Sequence, residues 1–464
     1  MPSFLRNLRE KHDLKTLIFY SSWALTITSG MSYFFGMLRD RAFAHTFGLS
    51  KTLDIYNAAF TLPEMLYNVL ILSVLSAGFV PIFTQKYDEH KQAGYRYAHQ
   101  MMSWGVAIVV LGSVLSIIFL PYFSHLLVDY KGTDLQEYIK VTRLMLLSPL
   151  IFAISSIYGQ VLLSLKEFFW YGLSPVFYNL GIIVGVSYLY PHFGVMGMVV
   201  GTLFGALLHL LNRMWAVKKR KFKFKIKPDF KLTPEMKETF KLAYPKIPQY
   251  ILAQLMLAQF TKIATSLPEG SVTAYNYGRN FQSLPVSLIG IAIALAMFST
   301  LSHDAGKGNF EKFKADFKKN RFRALFYTTL GAIALALLSK IIISVVLGGG
   351  EFGEKDIQLV TGVLMVYCIS VPLESMMYIY HRAFYALRNT LIPALMHAFT
   401  IGLTIFAAFM LAPHIGIYCI PVSFAAGLAL HIAVLASVFP LLLKRREAAV
   451  HHEAKKFGGA GVSE

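Results

Sequence analysis

Twelve apolar stretches recur along this chain of 464 residues, separated by short polar connections. A bilayer core about 30 Å thick is crossed by roughly 20 helical residues, because an α-helix rises 1.5 Å per residue. The pattern therefore predicts an all-α polytopic membrane protein, and the 15% of charged residues is too low for an ordinary soluble domain. The twelve predicted transmembrane helices are 17–38, 55–83, 101–128, 141–163, 171–190, 195–217, 242–267, 272–301, 324–347, 357–383, 391–412 and 415–443.

Lysine and arginine are concentrated in alternate connections between these stretches. Thirty-two of the 44 lie in the two terminal segments and in five connections that all fall on one side of the predicted membrane. Basic connections mark the cytoplasmic side of a membrane protein. An even number of spans then places both termini in the cytoplasm.

The most basic connection, 218–241, has ten lysine and arginine residues interleaved with phenylalanine. This pattern also occurs in nucleic-acid-binding surfaces, but here it lies between two predicted spans. We therefore interpret it as a topogenic segment that contacts anionic lipids, and we expect no nucleic-acid partner. Residues 310–322 repeat the pattern, with phenylalanine at three- to five-residue spacing, and predict an amphipathic helix at the membrane interface.

Residues 189–211 overlay residues 411–433 without a gap, at an offset of 222. The identical pairs include Pro191 and Pro413, His192 and His414, Gly194 and Gly416, Gly205 and Gly427, and His209 and His431. The same offset pairs Lys166 with Arg388. Because six spans separate the copies and six is even, the repeat predicts two six-helix lobes of the same orientation.

The repeat and the basic connection together predict how the chain is divided. The five predicted segments are a cytoplasmic N-terminal segment at 1–16, a first lobe at 17–217, a basic cytoplasmic interlobe linker at 218–241, a second lobe at 242–443 and a cytoplasmic tail at 444–464. Parallel repeats in transporters enclose a substrate cavity between the lobes and work by rocking one lobe against the other. The organisation therefore favours a transporter over a receptor or an enzyme.

Enzymatic and metal-dependent chemistry finds little support in the sequence. Cys368 and Cys419 are the only cysteines, and both lie in apolar stretches, so they cannot form a zinc cluster. The chain has no phosphate-binding loop of the ATPase type and no nucleophile-and-base constellation. We expect a transporter without a metal or an organic cofactor.

Ionisable residues inside membrane spans are costly and therefore mark functional sites. Arg39 and Arg279 each follow a glycine-containing segment near the start of a predicted lobe. The planar fork of arginine suits phosphate, so two arginines from facing lobes would bracket a diphosphate. The alternative is local pairing, of Arg39 with Asp40 and of Arg279 with backbone carbonyl groups.

The remaining charges have other candidate roles. Asp54 either caps the second predicted span or pairs with Arg39 or Arg41. Glu64 and Glu374 are candidates for the cavity or for coupling to an ion. Basic residues near span ends are expected to extend to the membrane surface, and these are Arg143, Arg213, Lys246, Lys262 and Lys340. His397 and His431 lie on apolar helices and are interpreted as hydrogen-bonded packing residues.

Three motifs resemble one known family. GMLRDRAFAHTFGLSKTLDIYNAAFTLPEML in the first lobe, and LPEGSVTAYNYGRNFQSLPVSLIGIAIALAMFSTLS and AFYALRNTLIP in the second, are similar to the MurJ (MviN) lipid II flippases of the multidrug/oligosaccharidyl-lipid/polysaccharide exporter superfamily. The resemblance implies two lobes arranged in a V and transport by alternating access. It also implies that undecaprenyl-diphosphate-linked peptidoglycan precursor is flipped to the outer leaflet of the bacterial cytoplasmic (inner) membrane.

The resemblance also implies site residues. The substrate-binding positions fall on Arg39, Asp40, Asp54 and Arg279, and Arg41, Glu64 and Glu374 are the cavity or coupling candidates. Some family positions differ in this chain: Tyr33, Tyr67 and Asn68 stand where the family has arginine, Leu72 where it has glutamate, and Gly278 where it has aspartate. The family design has fourteen helices, whereas twelve spans are predicted here.

The implied partners are the lipid-linked diphosphate substrate, anionic membrane lipids and the cell-wall synthesis machinery, with the chain acting as a monomer. Because several family arginines are replaced, a flippase for another lipid-linked oligosaccharide stays open. A cation-coupled multidrug antiporter is a second alternative, which would use Glu64 or Glu374 to bind a cationic substrate. A non-transporting scaffold of the cell-wall machinery is a third, and it would tolerate loss of the cavity arginines.

Overall fold

The computed structural model describes residues 14–220 and 227–458, and in these ranges the chain is almost entirely helical. This confirms the predicted all-α class. Most of the predicted N-terminal segment, six residues of the linker and the last six residues of the tail lie outside the described residues. The chain forms two compact units: unit 1 is Met1–Ser266 with Val346–Phe352, and unit 2 is Leu267–Val345 with Gly353–Glu464.

The helices of unit 1 in the described ranges are α1 (Leu14–Phe47), α2 (Lys51–Ala59), α3 (Thr61–Tyr67), α4 (Ser73–Glu89), α5 (Lys91–Phe123), α6 (Gly132–Met145), α7 (Ser148–Ser164), α8 (Phe168–Val184), α9 (Tyr190–Phe193), α10 (Val195–Lys218), α11 (Pro234–Ala243) and α12 (Ile247–Thr265). A π-helical turn follows α3 at Asn68–Leu72, and another follows α8 at Gly185–Leu189. The chain therefore runs from α3 into α4, and from α8 into α9, without leaving the helical path.

The helices of unit 2 in the described ranges are α13 (Ser271–Pro285), α14 (Ala292–Gly306), α15 (Phe310–Val346), α16 (Glu354–Cys368), α17 (Ser370–Ala386), α18 (Leu391–Ile415) and α19 (Cys419–Gly458). A π-helical turn at Val286–Ile291 connects α13 to α14, and a 3-10 turn at Gly416–Tyr418 connects α18 to α19.

Nine helical stretches of the described residues are long and apolar enough to cross a membrane. One of them, Leu391–Ala449, contains α18 and most of α19 and therefore covers two predicted spans. The predicted spans 17–38 and 242–267 fall mainly on α1 and α12, which are not among the nine. All twelve predicted stretches are thus mainly helical. Many apolar side chains point outward, as Leu337 does with 77% of its surface exposed, and this suits a lipid environment.

Glycine residues bring α8 and α10 into backbone contact in unit 1. A Cβ atom on Gly185 would lie 2.8 Å from the Cα of Gly201, closer than real Cβ atoms approach. Glycines repeat every four residues on both sides of the contact, at Gly181 on α8 and Gly185 in the turn after it, and at Gly197, Gly201 and Gly205 on α10. This spacing lets membrane helices pack closely. This contact fixes α8, whose Asn179 side chain reaches the functional region of α1.

The described part of the linker packs against the N-terminal end of α5. The Tyr97 hydroxyl lies 2.7 Å from the Thr239 hydroxyl, and the Asp229 N–H donates to the Ser103 hydroxyl at 2.9 Å. The side chain of Met236 is fully buried. The boundary between the compact units falls after Ser266, so α12 groups with unit 1 although the repeat assigns it to the second lobe. The lobe boundaries stay a prediction from the repeat.

The amphipathic helix predicted over 310–322 is present, as the first part of the continuous helix α15, and its position at the membrane interface stays a prediction. Its aromatic side chains pack on protein: the rings of Phe313 and Phe317 lie 6.4 and 4.6 Å from the ring of Phe439. Phe322, with 67% of its surface exposed, points away from this cluster. The phenylalanine spacing therefore marks a face buried against α19.

Candidate functional site

Arg39, near the end of α1, pairs with its neighbour Asp40. This is the local pairing expected from the sequence as the alternative to diphosphate binding. Its Nη2 lies 2.7 Å from Asp40 Oδ1, and its Nη1 donates to Asn179 Oδ1 at 3.2 Å. Asn179 in turn donates to the Ser32 carbonyl at 3.3 Å, which orients the amide. The guanidinium is held by α1 and α8 together, with about a quarter of the side chain exposed.

Arg279 on α13 forms a two-pronged ion pair with Glu374 on α17. Its Nη1 and Nη2 donate to the two carboxylate oxygens at 2.7 and 2.9 Å. Gln282 accepts from Arg279 and donates to Glu374 Oε2 at 3.0 Å, so the amide joins both partners. The ring of Phe424 lies 4.9 Å from the guanidinium carbon. A residue that the sequence presented as a separate coupling candidate is therefore the partner of Arg279.

The other predicted candidates in unit 1 occupy the ends of helices. Asp54 is buried in the first turn of α2, but Ser50 is the capping residue, since its hydroxyl accepts from the Leu53 N–H at 3.4 Å. Arg41 on α1 donates to the Val346 carbonyl at 3.1 Å. Arg39 and Arg279 belong to different units, and their joint binding of one diphosphate stays a prediction.

A cavity of about 360 Å³ lies within unit 1. Its wall includes Phe60, Pro63, Glu64, Tyr67, Asn68, Leu72, Ser148, Pro149, Phe152, Ser156, Gln160, Tyr171, Tyr178, His209 and Arg213. The candidate Glu64 is thus in place on the wall. The cavity also contains Tyr67 and Asn68, the positions where the resembling family has arginines.

Arg213 on α10 is the cation of this cavity, and the expectation that it extends to the membrane surface is wrong. The side chain is 94% buried, since its exposed fraction is 6%. Its Nε donates to the Ser174 hydroxyl at 3.0 Å, and its Nη1 to the Ser155 carbonyl at 3.1 Å. The ring of Tyr171 lies 4.8 Å from the guanidinium carbon. No carboxylate among the described residues lies within ion-pair distance of it.

Sequence reasoning missed Arg213 because its position near a span end suggested a surface location. One signal was available: His209, Asn212 and Arg213 follow at i, i+3 and i+4 on an otherwise apolar helix and so share one face. All three polar groups turn toward protein, with Asn212 donating to the Ser174 hydroxyl at 2.9 Å and His209 Nδ1 2.8 Å from the Ser155 hydroxyl. A polar face inside a membrane helix indicates a partner inside the bundle.

The residues that line the cavity suit an anionic ligand, and they also include one carboxylate, that of Glu64. Arg213 supplies charge, and Tyr67, Gln160 and Ser156 supply neutral polar groups. The Tyr67 hydroxyl lies 2.7 Å from the Ser156 hydroxyl, which fixes both on the wall. Arg39 is within electrostatic range of Glu64. Charged and polar groups of unit 1 are therefore gathered around one cavity.

Membrane-length helices, an internal repeat and a buried cationic cavity define a polytopic membrane transporter, a class that performs no covalent catalysis. The sequence profile described as lipid II flippase MurJ matches residues 43–457. The chain therefore belongs to the lipid II flippase MurJ family, which confirms the resemblance of its motifs.

Curated relatives in bacteria match most of the chain. The probable lipid II flippase MurJ of Bdellovibrio bacteriovorus is 26% identical over 392 residues, which are 82% of this chain and 73% of the relative. The probable lipid II flippase MurJ of Thermotoga maritima is 26% identical over 417 residues, covering 88% of this chain and 84% of the relative.

Solved structures share the fold. A lipid II flippase MurJ in an inward closed conformation gives a TM-score of 0.76 at 20% identity, covering 95% of this chain and 93% of that one. An inward-facing multidrug resistance MATE family transporter of the MOP superfamily gives 0.71 at 15% identity, covering 91% and 96%. At these identities the likeness concerns the fold alone.

Proposed function

We propose that this chain flips lipid II, the undecaprenyl-diphosphate-linked peptidoglycan precursor, to the outer leaflet by alternating access of two six-helix lobes. Membership of the lipid II flippase MurJ family supports the substrate class. The observation that carries the proposal is Arg213, a buried arginine on a cavity wall with no carboxylate within ion-pair distance among the described residues.

A buried cation without a counter-ion is costly, and an anionic ligand offsets that cost. The hydrogen bonds of Arg213 to Ser174 and Ser155 use Nε and Nη1, which leaves Nη2 as a further donor for phosphate. Arg213 also lies on the same wall as Tyr67 and Asn68, where the family motif has arginines. In this chain the head-group charge is thus supplied from α10 rather than from the second predicted span.

Arg39, Asp40, Asp54 and Arg279 complete the proposed head-group site, with Arg41, Glu64 and Glu374 as the cavity and coupling residues. Asp40 and Glu374 neutralise their arginines when no substrate is bound. A diphosphate competes with these carboxylates for the same donors. Release of Asp40 or Glu374 therefore accompanies substrate binding.

The proposal includes the cellular setting. The chain acts as a monomer in the bacterial cytoplasmic membrane with both termini in the cytoplasm. Its basic segments contact anionic lipids, and the cell-wall synthesis machinery receives the product. With the cell interior negative, outward movement of an anionic head group is favoured by about 2.3 kcal/mol per charge per 100 mV. The membrane potential is then sufficient to drive transport.

The test is complementation of a bacterium depleted of its own lipid II flippase, with membrane expression verified for each variant. We expect the wild-type chain and Arg143→Gln to restore growth, and Arg213→Gln to fail. Arg143 is the matched control because it is exposed and, within the described part of the chain, its hydrogen bond goes to the Ile117 carbonyl, at 3.0 Å. Growth with Arg213→Gln at the wild-type rate would contradict the role of Arg213.

A binding measurement separates the substrate site from host compatibility. Purified protein is titrated with lipid II, with undecaprenyl diphosphate and with a polyprenol that lacks phosphate. Arg213→Gln is expected to weaken binding of the two diphosphates about 10- to 100-fold, the effect of losing one charge-assisted hydrogen bond. Binding of the polyprenol should not change. Binding only of a differently glycosylated lipid diphosphate would favour the other lipid-linked oligosaccharide.

A cation-coupled multidrug antiporter is the second candidate, and Glu64 is the observation that favours it. The carboxylate lies on the cavity wall and is exposed there. Among the described residues no hydrogen bond or ion pair to its side chain is found. Efflux of a cationic dye that is lost in Glu64→Gln and retained in Arg213→Gln would establish this function in place of lipid transport.

A further inference from the structure

Three histidines from three helices meet inside unit 2. The Nε2 atoms of His381 on α17 and His431 on α19 are 2.8 Å apart. The ring of His397 on α18 lies 5.9 Å from the ring of His381 and 5.5 Å from that of His431, edge-on to both. The sequence suggested packing roles for His397 and His431, and His381 was not singled out. The fold brings all three into one cluster.

The hydrogen bonds assign the protons in this cluster. Thr400 Oγ1 donates to the Met396 carbonyl at 2.9 Å, so its oxygen accepts from His431 Nδ1 at 3.1 Å. We therefore assign the proton of His431 to Nδ1, and in this tautomer its bare Nε2 accepts the Nε2–H of His381. The free lone pair of the hydrogen-bonded pair is then on His381 Nδ1.

The hydrogen-bonded pair of His381 and His431 can take up one proton, and only one, without losing its hydrogen bond. A proton from water binds His381 Nδ1, and the Nε2 proton of His381 can then pass to His431 Nε2 as one N–H bond breaks and another forms. The positive charge moves with it from His381 to His431. A second proton would place two N–H groups against each other at 2.8 Å, which breaks the contact.

The geometry suits a proton better than a metal ion. Two histidine nitrogens on a tetrahedral zinc ion, at about 2.0–2.1 Å each, are about 3.3 Å apart. The observed separation of 2.8 Å is shorter and equals an ordinary hydrogen bond. Within residues 14–220 and 227–458, no group of three or more histidine, cysteine, aspartate or glutamate side chains has the geometry to hold a metal ion.

The surroundings make the charged form of the cluster costly. Arg382 and Tyr385, both on α17, are the other titratable groups that face it. On α18 and on the described side chains of α19, the remaining titratable groups lie at least three helical turns away. Glu374 is held by Arg279. Among the described residues, the cluster therefore has the positive charge of Arg382 beside it and no carboxylate. His431 itself is buried, with 1% of its surface exposed.

We propose that His381, His397 and His431 form a one-proton binding site in unit 2 whose loading loosens the packing of α17 against α18 and α19. A charge buried among apolar helices favours any arrangement that gives it water. His381 is half-buried and His431 fully buried, so the proton enters at His381. Loading of the site is thereby coupled to a conformational step, and a proton gradient contributes to transport beside the membrane potential.

The first test needs no transport assay. Hydrogen exchange of α17 and α18 is measured on the full chain in lipid nanodiscs at about pH 7.5 and about pH 4, with correction for intrinsic rates. The lower pH lies well below the ordinary titration of histidine because the charged form of the buried cluster is costly. We expect protection of these helices in the wild type to fall several-fold at the lower pH. His431→Gln and His381→Gln keep hydrogen-bonding groups but cannot charge, and should show no such fall. His414→Gln, exposed near the end of α18, is the control and should behave as wild type.

Two outcomes would overturn the proposal: protection in the wild type that does not depend on pH, or a pH response that persists in both cluster variants. The second test uses proteoliposomes in which the membrane potential is clamped and a pH gradient is imposed. The pH gradient should accelerate lipid transport by the wild type and by His414→Gln. It should not change the rate of lipid transport by His431→Gln or His381→Gln. Loss of all transport in the wild type would contradict the proposed flippase function without affecting the exchange result.

Discussion

Lys166 and Arg388, 222 residues apart in the chain, adopt the same left-handed backbone, with φ of 59° and 60°. They are the non-glycine residues with positive φ among those described. Each follows a helix end at which the next N–H bonds to the carbonyl five residues back, at 2.8 Å after α7 and 3.0 Å after α17. The offset of 222 found in the sequence is therefore also found between these two backbone turns, at positions where the two side chains differ.

This shared conformation predicts that glycine is better than a basic residue at both positions. A left-handed backbone costs about 1–2 kcal/mol for a residue with a Cβ and little for glycine. Lys166→Gly and Arg388→Gly should each raise the free energy of unfolding by about 1 kcal/mol, measured by thermal unfolding in detergent. Lys140→Gly, on an exposed helical position of α6, should lower it by about 1 kcal/mol. Equal effects at all three positions would refute the explanation.

The pair of Arg279 and Glu374 predicts strong coupling between the two positions. Glu374→Gln leaves a largely buried cation without its partner and should cost about 3 kcal/mol of stability, the low end for breaking a buried pair. Replacing both residues by leucine should restore most of that loss. A double-mutant cycle on unfolding measures the coupling. In contrast, Lys340→Ala removes an exposed pair with Glu354 and should change stability by less than about 1 kcal/mol.

The contact between α8 and α10 predicts opposite outcomes for two glycine-to-alanine substitutions. At Gly185 a Cβ atom would lie 2.8 Å from the Gly201 Cα, so the helices must separate and stability should fall by about 1–3 kcal/mol. At Gly402 on α18, no atom lies within 4 Å of an added Cβ. Gly402→Ala should therefore be neutral or stabilising by up to about 1 kcal/mol. Melting temperatures that fall equally in both variants would show that backbone contact is not the cause.

The anchor of the linker on α5 predicts a response to acid. Desolvation raises the pKa of Asp229, but hydrogen bonds from the Lys231 N–H and from Gln100 outweigh it, so the pKa lies below its ordinary value. A lowered folded-state pKa stabilises the anchor above about pH 4, the unfolded value for aspartate, and this stabilisation is lost as the pH falls through the folded pKa. Hydrogen exchange of 227–243 should accelerate below about pH 4. In Asp229→Asn this acid-induced step should be absent.

The helical architecture could be predicted because an apolar stretch of about 20 residues is by itself enough to indicate a membrane span. The direction of a side chain could not, since it depends on which helices are neighbours. Arg213 and Lys340 both looked like span-end cations, yet Arg213 points into a cavity and Lys340 pairs with Glu354 at the surface. Phe313 and Phe317 have an amphipathic spacing that fits lipid and protein equally well, and only the position of α19 decides between them.

The sequence predicted candidate residues that lie in a family motif. It did not predict partners and clusters that form only when distant helices pack together. Arg39, Asp40 and Arg279 stand in recognisable motifs, but the partner of Arg279 comes from a helix 95 residues later. The histidine cluster joins α17, α18 and α19, and no spacing along one helix reveals it. Such clusters arise from helix packing, which composition and periodicity do not encode.

Helix α15 has mechanical consequences that follow from its length. Its 37 residues extend about 55 Å, whereas a bilayer core is about 30 Å thick. About 25 Å of unbroken helix is therefore left outside the hydrocarbon, and this arm includes the lysine-rich end of the helix. Because this arm has no hinge, and because Phe313 and Phe317 attach it to α19, a force applied to its polar end is transmitted as torque to the apolar half of the same helix. The helix is a rigid lever by which an event in the aqueous phase can turn part of unit 2.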